Sequence, residues 1–361
     1  MQASTGHSST EQATAGAKTD RSEGWGPDRK IAIWLLCVAA LVFVMVAVGG
    51  ITRLTESGLS IVTWKPVSGV VPPLSEAEWM AEFDEYRQYP EYQKVNRGMT
   101  LSEFKYIFWW EYGHRLLGRL IGVAFAVPLL IFWVKGYIRP ELRPRLLGLL
   151  VLGGLQGLMG WYMVMSGLVD RPDVSHYRLT AHLSLALIIF AALVWVALGL
   201  LRPDRGEASF RDRNPALWRI FLCLVGLIIL QILLGGFVAG LKAGLIYNTW
   251  PLMGGGLAPS DLWFLDPWWL NIFENRSTIQ FNHRMVAYAV VAVAAVLWWK
   301  LRGTQVSGPA NALLAVIGVQ FVLGILTLIH VVPVALGATH QAVAVIVVAK
   351  LVWLGRAMVR A

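Results

Sequence analysis

The sequence predicts an all-α integral membrane protein with eight transmembrane helices, arranged as two parallel, pseudo-symmetric four-helix bundles with both termini cytoplasmic. Three observations predict it. Of the 361 residues, 56% are hydrophobic and only 15% are charged, which excludes an ordinary soluble enzyme. The apolar residues gather into eight runs, each close to the roughly 20 residues a helix needs to cross a bilayer. The second half of the chain repeats the first.

Residues 1–30 are rich in Ser, Thr, Ala and Gly, with Glu11, Asp20 and Glu23 interspersed. They lack the apolar core of a signal peptide and the acid-poor composition of a transit peptide, so they read as a disordered cytoplasmic tail. That favours a bacterial inner membrane over an organelle. The apolar runs cover 31–52, 113–135, 146–166, 179–201, 217–240, 279–299, 311–331 and 338–355. Basic residues mark alternate connections: Arg21, Arg29 and Lys30, then Lys135, Arg139, Arg143 and Arg145, then Arg202, Arg205, Arg211, Arg213 and Arg219, then Lys300 and Arg302, then Arg356 and Arg360. The other short loops are poorer, with Arg171 and Arg178 in one and none in 332–337. The positive-inside bias therefore puts both termini in the cytoplasm. The net charge of +9 is this topological signal and calls for no nucleic acid.

An offset of 186 residues carries Cys37 onto Cys223, Gly49-Gly50 onto Gly235-Gly236, Gly58-Leu59 onto Gly244-Leu245 and Thr63-Trp64 onto Thr249-Trp250. Gln156 with Gly160 is echoed by Gln320 with Gly324, His114 by His283 and His182 by His340. Each unit holds four helices, an even number, so the halves share one orientation about an axis along the membrane normal. The divisions are 31–201 and 217–361, joined by a cytoplasmic linker over 202–216.

Four histidines at one depth of such a protein are candidate ligands for planar metal cofactors, because polar groups in a membrane are costly and usually functional. His114 and His182 fall on the second and fourth helices of one half, His283 and His340 on those of the other. Two imidazoles facing each other across a bundle suit heme iron, as in electron-transfer cytochromes. At i+4 from each stands a small residue, Gly118, Ala186, Ala287 or Ala344, giving clearance beside the ligand helix. No Cys-x-x-Cys-His motif is present, so the heme is noncovalent, and the two cysteines read as small packing residues. Zinc or copper fits less well, since no carboxylate or thiolate stands at ligand spacing. His7, His176 and His330 fall outside the repeat and are not read as ligands.

Arg115 and Arg284 directly follow ligand candidates, and arginine suits the paired hydrogen bonds of a heme propionate; Arg53 is a third candidate, with Ala239 at its counterpart position. Glu56 corresponds to Lys242, so one half presents an acid where the other presents a base. A carboxylate beside a redox centre can move protons, and this asymmetry marks Glu56 as the candidate catalytic residue. In the same outer loop Ser75 and Glu78 form a capping box for a short surface helix. Trp263, Phe264, Trp268 and Trp269 read as a headgroup-level belt that seals the cofactors from above.

The stretches Gly49-Gly50-Ile51-Thr52-Arg53-Leu54-Thr55-Glu56-Ser57-Gly58-Leu59-Ser60, Glu111-Tyr112-Gly113-His114-Arg115, Gln156-Gly157-Leu158-Met159-Gly160-Trp161-Tyr162-Met163-Val164 and Phe281-Asn282-His283-Arg284 together resemble the heme A synthase family. The resemblance covers the chain beyond the tail. It implies a resident heme b on His283 and His340 in the C-terminal half and a heme O substrate site on His114 and His182 in the N-terminal half. Glu56 matches the family's acidic residue in the first outer loop. The cysteine pair that one subgroup carries there is missing, so this chain resembles the cysteine-free subgroup of proteobacteria and mitochondria. The implied reaction oxidises a porphyrin ring methyl to a formyl group through successive hydroxylations and loss of water from a geminal diol. Implied partners are a heme O synthase and cytochrome c oxidase assembly factors; the resemblance names no electron donor, and a homo-oligomer is compatible with it. Two other readings of the residues stay open: a di-heme b-type membrane cytochrome, which needs the same histidines but no asymmetry at Glu56, and a parallel-repeat transporter, which needs broken helices with polar groups at the midplane.

Overall fold

The computed structural model describes residues 26–63, 68–167, 174–202 and 209–360. Among these, eight helices are long and apolar enough to cross a membrane, and no strand forms beyond one isolated bridge between Met253 and Gly256. They are α1 (Pro27–Leu54), α2 (Leu101–Val134), α3 (Arg143–Gly167), α4 (His176–Leu201), α5 (Pro215–Gly240), α6 (Arg276–Leu301), α7 (Ser307–Ile329) and α8 (Val334–Val359). Every expected run is a helix. The ends are set by local chemistry: Pro27 and Pro215 occupy first-turn positions where their missing N–H costs nothing, and Asn275 accepts from the N–H groups of Ser277 and Thr278.

The expected tail, residues 1–30, lies outside the described residues up to 25, and α1 already includes its last four. Part of the linker, 203–208, also lies outside them. The largest difference is in α2, which starts at Leu101 rather than 113, because Thr100 and Glu103 form a capping box well before the apolar run. Its 34 residues span about 51 Å at 1.5 Å per residue, against a hydrocarbon core of about 30 Å. The first turns therefore stand beyond the membrane, where Phe104, Ile107 and Phe108 bury Trp79, Phe83 and Tyr86 of the helix Glu76–Tyr86. Phe83 stacks on Phe104 with centroids 4.9 Å apart. The Ser75–Glu78 capping box that starts this helix is present as the sequence reads it.

Between membrane helices, lipid is as apolar as leucine, so association rests on close packing rather than on hydrophobic exclusion. Val38 and Val42 of α1, Phe190 and Leu193 of α4, and Val345 and Val348 of α8 share one core. Glycines set the approach distances. Gly236 of α5 lies on Thr180 of α4, Gly50 of α1 lies on Gln341 of α8, and a Cβ at Gly240 would stand 2.6 Å from the Cα of His176. The Gln341 amide also donates to the Val46 carbonyl at 2.8 Å. Thus α1 meets α8 and α5 meets α4, while α4 and α8 touch each other. The remaining contacts are uneven. α6 and α7 pack along their length, whereas α2 and α3 touch sparsely; α1 lies along α4, whereas α5 and α8 barely meet.

Two sequence readings change. Cys37 and Cys223 are free and exposed on the outside of the bundle, not packed within it. Trp263, Phe264 and Trp268 are likewise exposed, as suits a headgroup belt, and form no inward seal.

The Gly240 contact gives a direct test. A methyl group there must push backbone from backbone, and overpacking of this kind costs about 1–3 kcal/mol. Gly240→Ala should lower the thermal midpoint of the detergent-purified protein by several degrees, read by circular dichroism, while alanine at Gly226, which has open space beside it, should leave it unchanged.

Candidate functional site

The four symmetry-related histidines lie in the N-terminal portions of α2, α4, α6 and α8, the helices that start at the same end of the bundle. His114 and His182 belong to one four-helix unit, and His283 and His340 to the other. All four are half-buried. Each rests on a glycine of a neighbouring helix. A Cβ would come within 3.1 Å of His114 at Gly49, 3.1 Å of His182 at Gly160, 3.2 Å of His283 at Gly235 and 3.1 Å of His340 at Gly324. Any larger residue would displace the ring.

Three of the rings also meet a glutamine amide: Gln156 at 3.3 Å from His182, Gln231 at 3.2 Å from His283 and Gln320 at 3.3 Å from His340. Nδ1 of each of these histidines and Oε1 of each glutamine are buried without a partner. Buried polar atoms are rarely left so, and these orphans mark where a ligand would complete the bonding. Among the described residues no three His, Cys, Asp or Glu side chains converge as a metal cage. A pair of imidazoles supplies two ligands only, which fits an ion that brings its own equatorial set. A porphyrin does.

Above the histidines, two arginines fasten the outer loops. Arg284, buried, donates to the carbonyls of Tyr247 at 2.7 Å and Thr249 at 2.9 Å, and to Oε1 of Gln280 at 2.9 Å. Arg115 donates to the carbonyls of Ile61 at 2.7 Å and Thr63 at 3.3 Å, and pairs with Glu111 at 2.5 Å. Ile61 and Thr63 stand at the same 186-residue offset from Tyr247 and Thr249. Glu111 is buried and accepts from Ser60 Oγ at 2.7 Å and from the Ile61 N–H at 2.8 Å. Its counterpart Gln280 instead donates to the carbonyls of Ala243 and Ile246.

Over residues 32–352 the chain matches the COX15-CtaA family, described as cytochrome oxidase assembly protein. It is 50% identical over 352 residues to the heme A synthase of Nitrosospira multiformis, covering 96% of this chain and 98% of that one. It is 53% identical over 323 residues to the heme A synthase of Parvibaculum lavamentivorans, covering 90% and 92%, and 51% identical over 339 residues to that of Rhodospirillum centenum, covering 91% and 90%. The chain belongs to the heme A synthase family.

In this member of the family the structure rearranges several roles read from the sequence. Glu56, the candidate acid, is ion-paired with Lys242, the residue at its own counterpart position. Both adopt left-handed backbone conformations, with φ of 55° and 53°. Glu56 takes the position where glycine usually ends a helix, with the Ser57 N–H on the Thr52 carbonyl at 2.9 Å and the Glu56 N–H on that of Arg53 at 3.3 Å. Arg53, read as a propionate grip, reaches the carbonyls of Ala239 at 3.1 Å and Gly240 at 3.2 Å, a favourable place for a cation at the end of α5. Arg115 and Arg284, read the same way, are held by loop carbonyls. His176 is buried at the junction of α4 and α5, edge-on to Phe237, and His330 turns its Nδ1 to the Leu326 carbonyl.

Sequence reasoning missed Glu111. The signal was there, in a Glu-x-x-His spacing that puts the acid one turn from His114 and in Gln280 at the matching place. It also missed Gly49 and Gly235 as the seats of His114 and His283.

The arginine contacts predict that Arg284→Lys will not preserve the loop, since an ammonium cannot span two carbonyls and an amide as a guanidinium fork does. Backbone amides over 247–249 should lose at least tenfold in hydrogen-exchange protection, measured by mass spectrometry.

Proposed function

We propose that the chain oxidises heme O to heme A for cytochrome oxidase assembly, using two heme sites built by a duplicated four-helix unit. The reading places both termini in the cytoplasm of a bacterial cell and the histidine end on the periplasmic side of the inner membrane, as the arginine distribution favours. His283 and His340 hold a resident heme b; His114 and His182 hold the heme O substrate. One observation carries the reading: two imidazole pairs with glycine seats, of which only one stands beside a buried carboxylate, Glu111, where the other has the neutral amide of Gln280.

Helix packing supports giving the substrate to the N-terminal pair. Heme O carries a long farnesyl tail and must enter from lipid. α2 and α3 touch more sparsely than α6 and α7, which favours entry from lipid on the side of His114 and His182. A bound heme b supplies one-electron chemistry, and the protein supplies orientation, proton handling and exclusion of side reactions.

The proton-handling role read for Glu56 suits Glu111 better. Glu56 is partly exposed and engaged by Lys242, which joins the end of α1 to the turn after α5. Glu111 lies one helical turn from His114, shielded from water, with Ser60 Oγ as a neighbouring hydroxyl through which a proton can pass. Its pairing with Arg115 holds the carboxyl group in place beside His114. In the last step a group placed there can take the proton of one hydroxyl of the geminal diol and hand it to the other, which leaves as water. General acid–base groups of this kind contribute about 10²–10⁴-fold. A heme O synthase upstream and the assembly machinery of cytochrome c oxidase downstream are the partners this reaction needs.

Extraction and chromatography of the hemes from purified protein test the assignment: heme B together with heme O or heme A is the expected result, and two heme B per chain would favour a di-heme cytochrome instead. Glu111→Gln, which copies the other half, should keep heme B while heme A formation falls about a hundredfold or more and heme O or its hydroxylated form accumulates. Glu56→Ala should still make heme A; loss of product in that variant alone would return the role to Glu56.

A further inference from the structure

Three of the four histidine seats share a feature beyond their glycines. Gln156 precedes Gly160, Gln231 precedes Gly235 and Gln320 precedes Gly324, each by one helical turn, so that one helix face offers an amide and a gap to the same imidazole. The fourth seat breaks the pattern: Met45 precedes Gly49. Met45 and Gln231 are counterparts under the 186-residue offset.

The consequence is visible in the rings. His182, His283 and His340 each have a glutamine amide within 3.3 Å and turn Cε1 toward their glycine. Among the described residues no group hydrogen-bonds the ring of His114, which turns Nε2 toward Gly49 instead. The Met45 methyl lies against Gly118, one turn along α2 from His114. A histidine that ligates a metal gives one ring nitrogen to the ion and donates the other as N–H to an acceptor, which fixes the ring and raises its basicity. Each glutamine meets its ring through the amide Nε2, which donates to the imidazole as placed; turned end for end, the same amide presents its unpartnered Oε1 as the acceptor of a ring N–H and leaves the other ring nitrogen for the metal. A thioether is only a weak acceptor.

Building on the two-site reading above, we propose that Gln156, Gln231 and Gln320 are positioning residues that fix His182, His283 and His340 as axial ligands, and that Met45 withholds this support from His114, making it the exchangeable ligand of the substrate site. A resident heme needs two firmly held ligands; a substrate that must arrive, turn over and leave needs one that lets go. The asymmetry falls on a single residue of four otherwise equivalent seats.

The test uses full-length protein in detergent, carrying heme B in the C-terminal site and heme O in the N-terminal one, with excess apomyoglobin as heme acceptor. Wild-type protein should release heme O in a fast phase and heme B in a slow one. Met45→Gln should slow the fast phase about tenfold or more, the usual size of an outer-shell effect on metal affinity, and shift only the heme O low-spin signal in electron paramagnetic resonance. Gln231→Met should accelerate the slow phase by a similar factor and shift only the heme B signal. Met45→Leu should keep fast release, because leucine also offers no acceptor; slow release there would assign the effect to volume and overturn the proposal. Unchanged release and signals in Met45→Gln and Gln231→Met overturn it while leaving the two-site reading intact. If Met45→Gln fails to fold, Gln231→Met alone decides by the same criterion. Purified wild-type protein without heme in either site would overturn both.

Discussion

A polar side chain at membrane depth has no water to turn to, and this constraint organises the histidine end of the molecule. Each guanidinium, carboxylate, amide and imidazole must find its partner within the protein or in a ligand. Arg284 and Arg115 each take two loop carbonyls and a side chain, so the loop beside each histidine pair is fixed to the helix that carries His283 or His114. The glutamines and histidines meet it only in part. Several of their atoms stay buried without a protein partner, on rings that rest against glycines of neighbouring helices.

Comparing the repeated units separates two kinds of divergence. One kind joins them. Glu56 and Lys242 occupy matching left-handed turns and pair with each other, and Arg53 grips the end of the helix that carries its own counterpart, Ala239. Charge opposition is a natural outcome when two copies of one surface meet, because identical charges would repel where complementary ones hold. The other kind distinguishes the sites. Glu111 against Gln280 changes the group beside one imidazole pair, since a carboxylate accepts from the Ile61 N–H and Ser60 hydroxyl where an amide donates to the carbonyls of Ala243 and Ile246. Met45 against Gln231 changes the support of a single ring. The scaffold is thus duplicated, and the chemistry is placed on a few substitutions within it.

The helix contacts carry the same division to the membrane. The sparse contact of α2 with α3 and the fuller contact of α6 with α7 are two settlements of one architecture.

The eight spans, and the place of each histidine within them, were determined by the sequence alone. Hydropathy sums over some 20 residues, so errors at single positions cancel, and a histidine repeated at matching places in apolar helices stands out because so few polar residues are tolerated there. The capping box at Ser75 was legible because its partners are three residues apart. What remained for the tertiary structure was every relation between distant segments: Glu56 with Lys242, Gly49 under His114, Glu111 with Ile61, and the outward faces of Cys37 and Cys223. In a helix apolar on all sides no periodicity reveals which face is inward. Only the packing of one helix on another decides it, and with it which carboxylate is held beside a ligand and which closes an interface.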